Sequence, residues 1–159
     1  MNFGVLGTGV VGQAIATKLT QLGHTVKMGS RSATNEKATG WAEKAGEKAS
    51  AGTFADAAAF GDVVVLATKG DVTLDILELA GKENFKGKTV IDISNPLDFS
   101  KGMPPTLSIC NDNSLGEEVQ KFIPADVPLL GIYSGVEIGK IGADVQALDW
   151  TGVLCVFSQ

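Results

Sequence analysis

The chain has 159 residues and a formal net charge of −5, with 44% hydrophobic and 19% charged residues. That length suits one domain with a sizeable core and excludes a dinucleotide-sized domain followed by a separate substrate domain, so residues 1–159 are read as a single domain. The acidic balance offers no basic stripe to a nucleic-acid backbone, and the apolar runs are strand-length rather than membrane-length, so neither partner is expected.

The first predicted strand, Phe3-Gly4-Val5-Leu6, starts within the first few residues, which leaves no room for a signal peptide. It runs straight into Gly7-Thr8-Gly9-Val10-Val11-Gly12. Between a strand and a helix, this spacing has a physical meaning. The first glycine makes the tight turn, the second lets backbone approach a diphosphate, and the third lets the helix pack close to the strand. The helix then presents unpaired N–H groups and the positive end of its dipole to the anion. Val11, Ala14, Ile15, Leu19 and Leu22 recur at helical spacing and Gly23 stands at a C-cap position, so the setting is that of a dinucleotide fingerprint.

His24 to Met28 reads as the second strand, with the single histidine as a turn residue before it. About 20 residues past such glycines, an acidic side chain would hold the ribose 2′-hydroxyl of NAD. Gly29-Ser30-Arg31 stands there instead. Ser30 can donate a hydrogen bond and Arg31 can clamp a 2′-phosphate, which favours NADP(H); the alternative for Arg31 is a solvated charge in a polar turn. Lys37, in the first turn of the following helix, is a candidate second cation for the phosphate, or else a solvated lysine.

Ser32 or Thr34 is placed to cap a helix with Ala38, Trp41, Ala42 and Ala45 on its apolar face, Trp41 being a core contact. A short strand from Ala51 to Phe54 leads to a brief helix capped by Asp56. Asp62 to Thr68 then has the composition of a buried parallel strand. Ligands of open α/β sheets lie outside the carboxyl ends of strands near the order reversal, so Ala67, Thr68 and Lys69 are expected to line the cofactor groove. A helix from about Val72 to Ala80 and a strand from Thr89 to Ile93 bring Ser94-Asn95-Pro96 to the same rim. There, Asn95 and Pro96 are candidates for the nicotinamide end, or a simple turn before proline. Leu97 to Asn113 has no clear period, as expected of a lid or binding loop. Ser114 and Glu117 form a capping-box pair for a helix from about Leu115 to Phe122. Val127 to Tyr133 and Val153 to Phe157 read as strands, and Ala147 to Trp150 shows no decisive period. The alternation implies an α/β fold with a doubly wound, Rossmann-like parallel sheet. Cys110 and Cys155 have no metal or redox spacing and are read as free thiols in a reducing cytoplasm. Asp71, Asp92, Asp98 and Asp112 show no spacing that selects a catalytic pair, and each is read as solvated or capping.

Three segments together resemble the NADP-dependent oxidoreductases related to coenzyme F420-dependent NADP reductase. They are Gly4 to Gly12, Met28-Gly29-Ser30-Arg31, and Asn95-Pro96-Leu97-Asp98-Phe99 with Gly102-Met103-Pro104-Pro105 behind it. The resemblance covers about residues 1–124, and 125–159 diverge. It implies NADP contacts at Thr8, Ser30, Arg31, Ala67 and Thr68, and direct hydride transfer between NADP(H) and a small-molecule acceptor that is flavin-like or a deazaflavin. Such chemistry needs stacking geometry more than an acid or base. The alternative is an NADP(H)-binding module, or a truncated relative, with no catalysis of its own; the oligomeric state stays open, a homodimer included.

Overall fold

The computed structural model describes residues 1–109, 113–134 and 152–157. Strand and helix alternate in the order β1 (Asn2–Leu6), α1 (Val10–Gln21), β2 (Thr25–Ser30), α2 (Glu36–Ala45), β3 (Ala49–Thr53), α3 (Phe54–Phe60) and β4 (Val63–Leu66). Then follow α4 (Thr73–Ala80), β5 (Thr89–Asp92), the short strands β6 (Leu97–Asp98) and β7 (Thr106–Leu107), α5 (Leu115–Phe122), β8 (Leu129–Ser134) and β9 (Gly152–Phe157). The main sheet has the order β3-β2-β1-β4-β5-β8-β9. Every neighbouring pair is parallel except β8 with β9, so the parallel sheet expected from the alternation carries an antiparallel edge strand.

Alternation along the strands divides the core between the two faces of the sheet. Val5, Val26, Met28 and Val65 face Ala16, Ala38 and Trp41 of α1 and α2. Leu6, Val64, Leu66 and Val90 face Ala57, Ile76, Leu77 and Val119 of α3, α4 and α5. Side chains two apart share a face of a strand, so each buried strand supplies both layers. Trp41 is buried as expected, and its Nε1 donates to Thr17 Oγ1 at 3.0 Å, which satisfies the one polar atom it takes inside.

Several local details differ from the sequence reading. Asn35, not Ser32 or Thr34, caps α2, accepting from Lys37 N and Ala38 N, while the hydroxyls of Ser32 and Thr34 bond each other at 2.9 Å. Thr53 is the cap of α3, and Asp56 is its capping-box partner three residues on. On α1, Val11 and Leu22 are exposed; Gly12 and Ala16 are the residues it buries. The stretch from Leu97 to Leu107 is not structureless, because β6 and β7 pair antiparallel, Leu97 opposite Leu107. Cys110, Asp112 and Ala147 to Trp150 lie outside the described residues. Among the described residues no helix is long and apolar enough to cross a membrane.

Candidate functional site: a groove over the glycine turn

Strand order reverses between β1 and β4: β2 and β3 lie on one side of β1, and β4, β5 and β8 on the other. A groove of about 610 Å³ opens at the carboxyl ends of these strands, and Gly7, Thr8, Gly9, Val10 and Val11 line it. This is where an α/β sheet receives a ligand.

Two of the three fingerprint glycines are required by different neighbours, and the third is not. Gly7 has φ of +132°, a region that disfavours side chains, and a Cβ there would overlap the Ala67 carbonyl. At Gly12 a Cβ would run into the Gly7 carbonyl, so helix and turn meet backbone to backbone. A Cβ added at Gly9 would meet nothing of the protein within 4 Å. No neighbour in the fold accounts for the absence of a side chain at Gly9, which lines the groove.

Gly9 is the N-cap of α1 and makes no side-chain cap, and the first turn of that helix has no acidic residue. Among the described α-helices it alone lacks both: α2, α3 and α5 carry side-chain caps, and α4 carries Asp75 in its first turn. The amide groups of this turn, together with the positive dipole end, face the groove without an internal anion. Gln13 Nε2 holds the loop by donating to the Thr8 carbonyl at 3.0 Å, a bond the sequence reading missed.

Arg31 follows β2 and lines the same groove, as do Ala67, Thr68 and Lys69 after β4. Phe54 and Ile76, two core residues without a motif to reveal them, supply an apolar wall. Not every predicted residue joins them. Ser30 is 4% exposed, and its hydroxyl donates to the Ser32 carbonyl while accepting from Ser32 N at 3.3 Å, which shapes the turn carrying Arg31. Lys37 lines a separate cleft between α1 and α2, with Gln13 and Trp41.

Asn95 and Pro96 stand one strand further along the rim, lining a smaller cavity of about 90 Å³ with Asp92, Ser94 and Leu115. The Asn95 carbonyl accepts from Gly70 N at 3.2 Å, which ties this rim to the loop after β4. Asp92, read from sequence as solvated or capping, is 5% exposed: it is a capping residue inside the protein. Its Oδ1 accepts from Ser94 N at 2.9 Å and Ser94 Oγ at 2.5 Å. Burial pushes its pKa up, and the two Ser94 bonds offset part of that rise. Asp98 does cap a turn in the open, accepting from Ser100 N at 2.8 Å. Asp71 is exposed and lines the groove.

Comparison with known proteins agrees with this geometry. Residues 2–96 match the family described as NADP oxidoreductase, coenzyme F420-dependent. A protein from Arthrobacter sp. FB24, assigned as an F420-dependent NADP-reductase, is 40% identical with a TM-score of 0.75; the match covers 83% of this chain and 61% of that one. This chain therefore spans less than two thirds of the Arthrobacter protein. Pyrroline carboxylate reductase from Plasmodium falciparum, solved with NADP bound, is 13% identical with a TM-score of 0.59 over 99% of this chain and 48% of that one. An imine reductase from Aspergillus terreus is 20% identical with a TM-score of 0.62, over 84% and 41% of the two chains. These last two share the fold. No curated protein matches the chain.

Proposed function

This chain belongs to the family of coenzyme F420-dependent NADP oxidoreductases, and from that membership we propose that it binds NADP(H) in the groove and passes a hydride between it and a flavin-like or deazaflavin acceptor. The observation that carries the binding half is Gly9, open to the groove at the one α-helix start among the described residues that has neither side-chain cap nor acid. A diphosphate there accepts from the amides of the turn, which Gly7 and Gly12 keep flush with the sheet. Arg31, at the end of β2, is the residue proposed to grip the 2′-phosphate. Ser30 supports it from beneath by fixing the turn.

Bound NADP(H) supplies the hydride chemistry itself. The work of the protein is then to hold the dinucleotide extended across the strand ends, from Arg31 past Gly9 to Ala67 and Thr68, with the reacting ring towards the Asn95 rim. The acceptor would meet it on that side. The cytoplasm is the compartment proposed for this activity. Titration of NADPH and NADH tests the proposal: tighter binding of NADPH is expected, and equal or absent binding would overturn it.

A second reading is a dinucleotide-binding module without chemistry of its own. Stopped-flow oxidation of bound NADPH by flavins and a deazaflavin separates the two, since turnover is incompatible with a purely binding role.

A further inference from the structure

Thr73 opens α4 and is fully buried, the polar member of an inward row that continues with Ile76, Leu77 and Ala80. Its Oγ1 lies 3.0 Å from the Lys69 carbonyl and 3.0 Å from Thr68 Oγ1. A carbonyl only accepts, so the single hydroxyl proton of Thr73 goes to Lys69. The bond between the two threonines must then use the proton of Thr68. That leaves Thr68 with lone pairs alone for any further partner.

Thr68 lines the groove and sits against the glycine turn, where a Cβ on Gly7 would come within 3.3 Å of its methyl carbon. Along the sheet, Arg31 follows β2, the glycine turn follows β1, and Thr68 follows β4, in that spatial order. A dinucleotide laid from its adenosine phosphate at Arg31 to its diphosphate at Gly9 reaches Thr68 with its next portion, the sugar and ring of the nicotinamide half. We propose that Thr73 is a positioning residue: it holds the Thr68 hydroxyl as an acceptor, which selects a sugar hydroxyl or carboxamide N–H of that half and disfavours a phosphate oxygen. The inference rests on the NADP(H) reading above.

Paired titrations test it, with NADPH as the whole cofactor and adenosine 2′,5′-bisphosphate as the adenosine end alone. Thr73→Val is expected to weaken NADPH by roughly fivefold to tenfold, the scale of one hydrogen bond, and to leave the bisphosphate within about twofold. Thr73→Ser keeps the hydroxyl and should restore NADPH binding. Thr68→Val should lose as much as Thr73→Val, and the double variant no more than either, because both remove the same bond. Equal losses for both ligands would make Thr73 merely structural, and unchanged NADPH affinity in Thr68→Val would overturn the assignment without touching the fold. Failure of the unaltered protein to bind NADPH would instead sink the dinucleotide reading.

Discussion

Two helices begin at the carboxyl edge of the same sheet and are finished in opposite ways. At α5, Ser114 Oγ accepts from Glu117 N at 3.2 Å and Glu117 Oε2 accepts from Ser114 N at 3.1 Å, and Glu117 and Glu118 place two carboxylates in the first turn. The positive end of that helix is consumed by its own chain. At α1 the cap is Gly9, with neither side-chain bond nor acid. A helix start left unfinished costs stability that a cap would supply, and the return is an anion site. The difference between the two ends is the ground on which the α1 turn, and not the start of α5, is proposed to receive the diphosphate.

The largest effect is expected from making α1 resemble α5. Gly9→Asp supplies a good N-cap and an anion for the dipole, so the fold should be as stable as before or slightly more so. The same carboxylate would stand about 4 Å from a bound diphosphate, where like charges near a surface cost about 4 kcal/mol, so NADPH binding should fall roughly a thousandfold. Thermal denaturation and a binding titration on one sample read both quantities. Retained affinity would show that the diphosphate does not lie over this turn.

Arg31→Ala comes next. Loss of a charge-assisted hydrogen bond should weaken NADPH by about 1.5 to 3 kcal/mol while NADH is nearly unaffected. Lys37→Ala, in its separate cleft, should leave both affinities close to those of the unaltered protein. A fall in NADH affinity with NADPH unchanged would show that Arg31 does not read the 2′-phosphate.

Asp92 extends the comparison to the far rim, where a side chain rather than an amide does the shaping. Its folded pKa is raised by burial, so the folded state holds the proton more tightly than the unfolded chain does. Stability from this group is therefore complete at pH below the unfolded carboxylate pKa and is lost as pH rises through the folded value. Asp92→Asn keeps an acceptor for Ser94 and removes the titration. Relative to the unaltered protein, it should gain stability on going from acid to neutral pH, as followed by urea denaturation at several pH values. A difference that does not vary with pH would show that Asp92 titrates alike in both states.

What could be read from the sequence follows the same division. The turn at Gly7 to Gly12 and the Ser114–Glu117 box are local devices, fixed by residues within a few positions, and both stand as read. Arg31 and Ala67 share a groove because crossovers of ordinary length bring successive strand ends to one edge. The caps of α2 and α3 lie a few residues from the positions the sequence suggests, since Ser32, Thr34, Asn35, Thr53 and Asp56 all have competent oxygens and only their mutual geometry selects the cap. Lys37 and Asn95 depend on how far a helix or loop swings from the groove, and Asp92 on what packs above its strand. Phe54 and Ile76 carry no motif; they reach the groove only through the packing of α3 and α4 against the sheet.

The smallest expected effect closes the comparison from the α5 side. Ser114→Ala removes a cap whose hydroxyl satisfies the Glu117 amide, a loss of about 1 kcal/mol in stability. Glu117 would still reach back to the residue 114 amide, so the helix should shorten little. If helix starts at this edge were interchangeable anion sites, baring α5 would add a second weak site for NADPH or for inorganic phosphate. Two carboxylates in its first turn argue otherwise. Calorimetric titration should therefore find the same single class of NADPH site in Ser114→Ala as in the unaltered protein, at a slightly lower melting temperature. A new anion-binding event would mean that capping, rather than charge, keeps α5 closed to ligands.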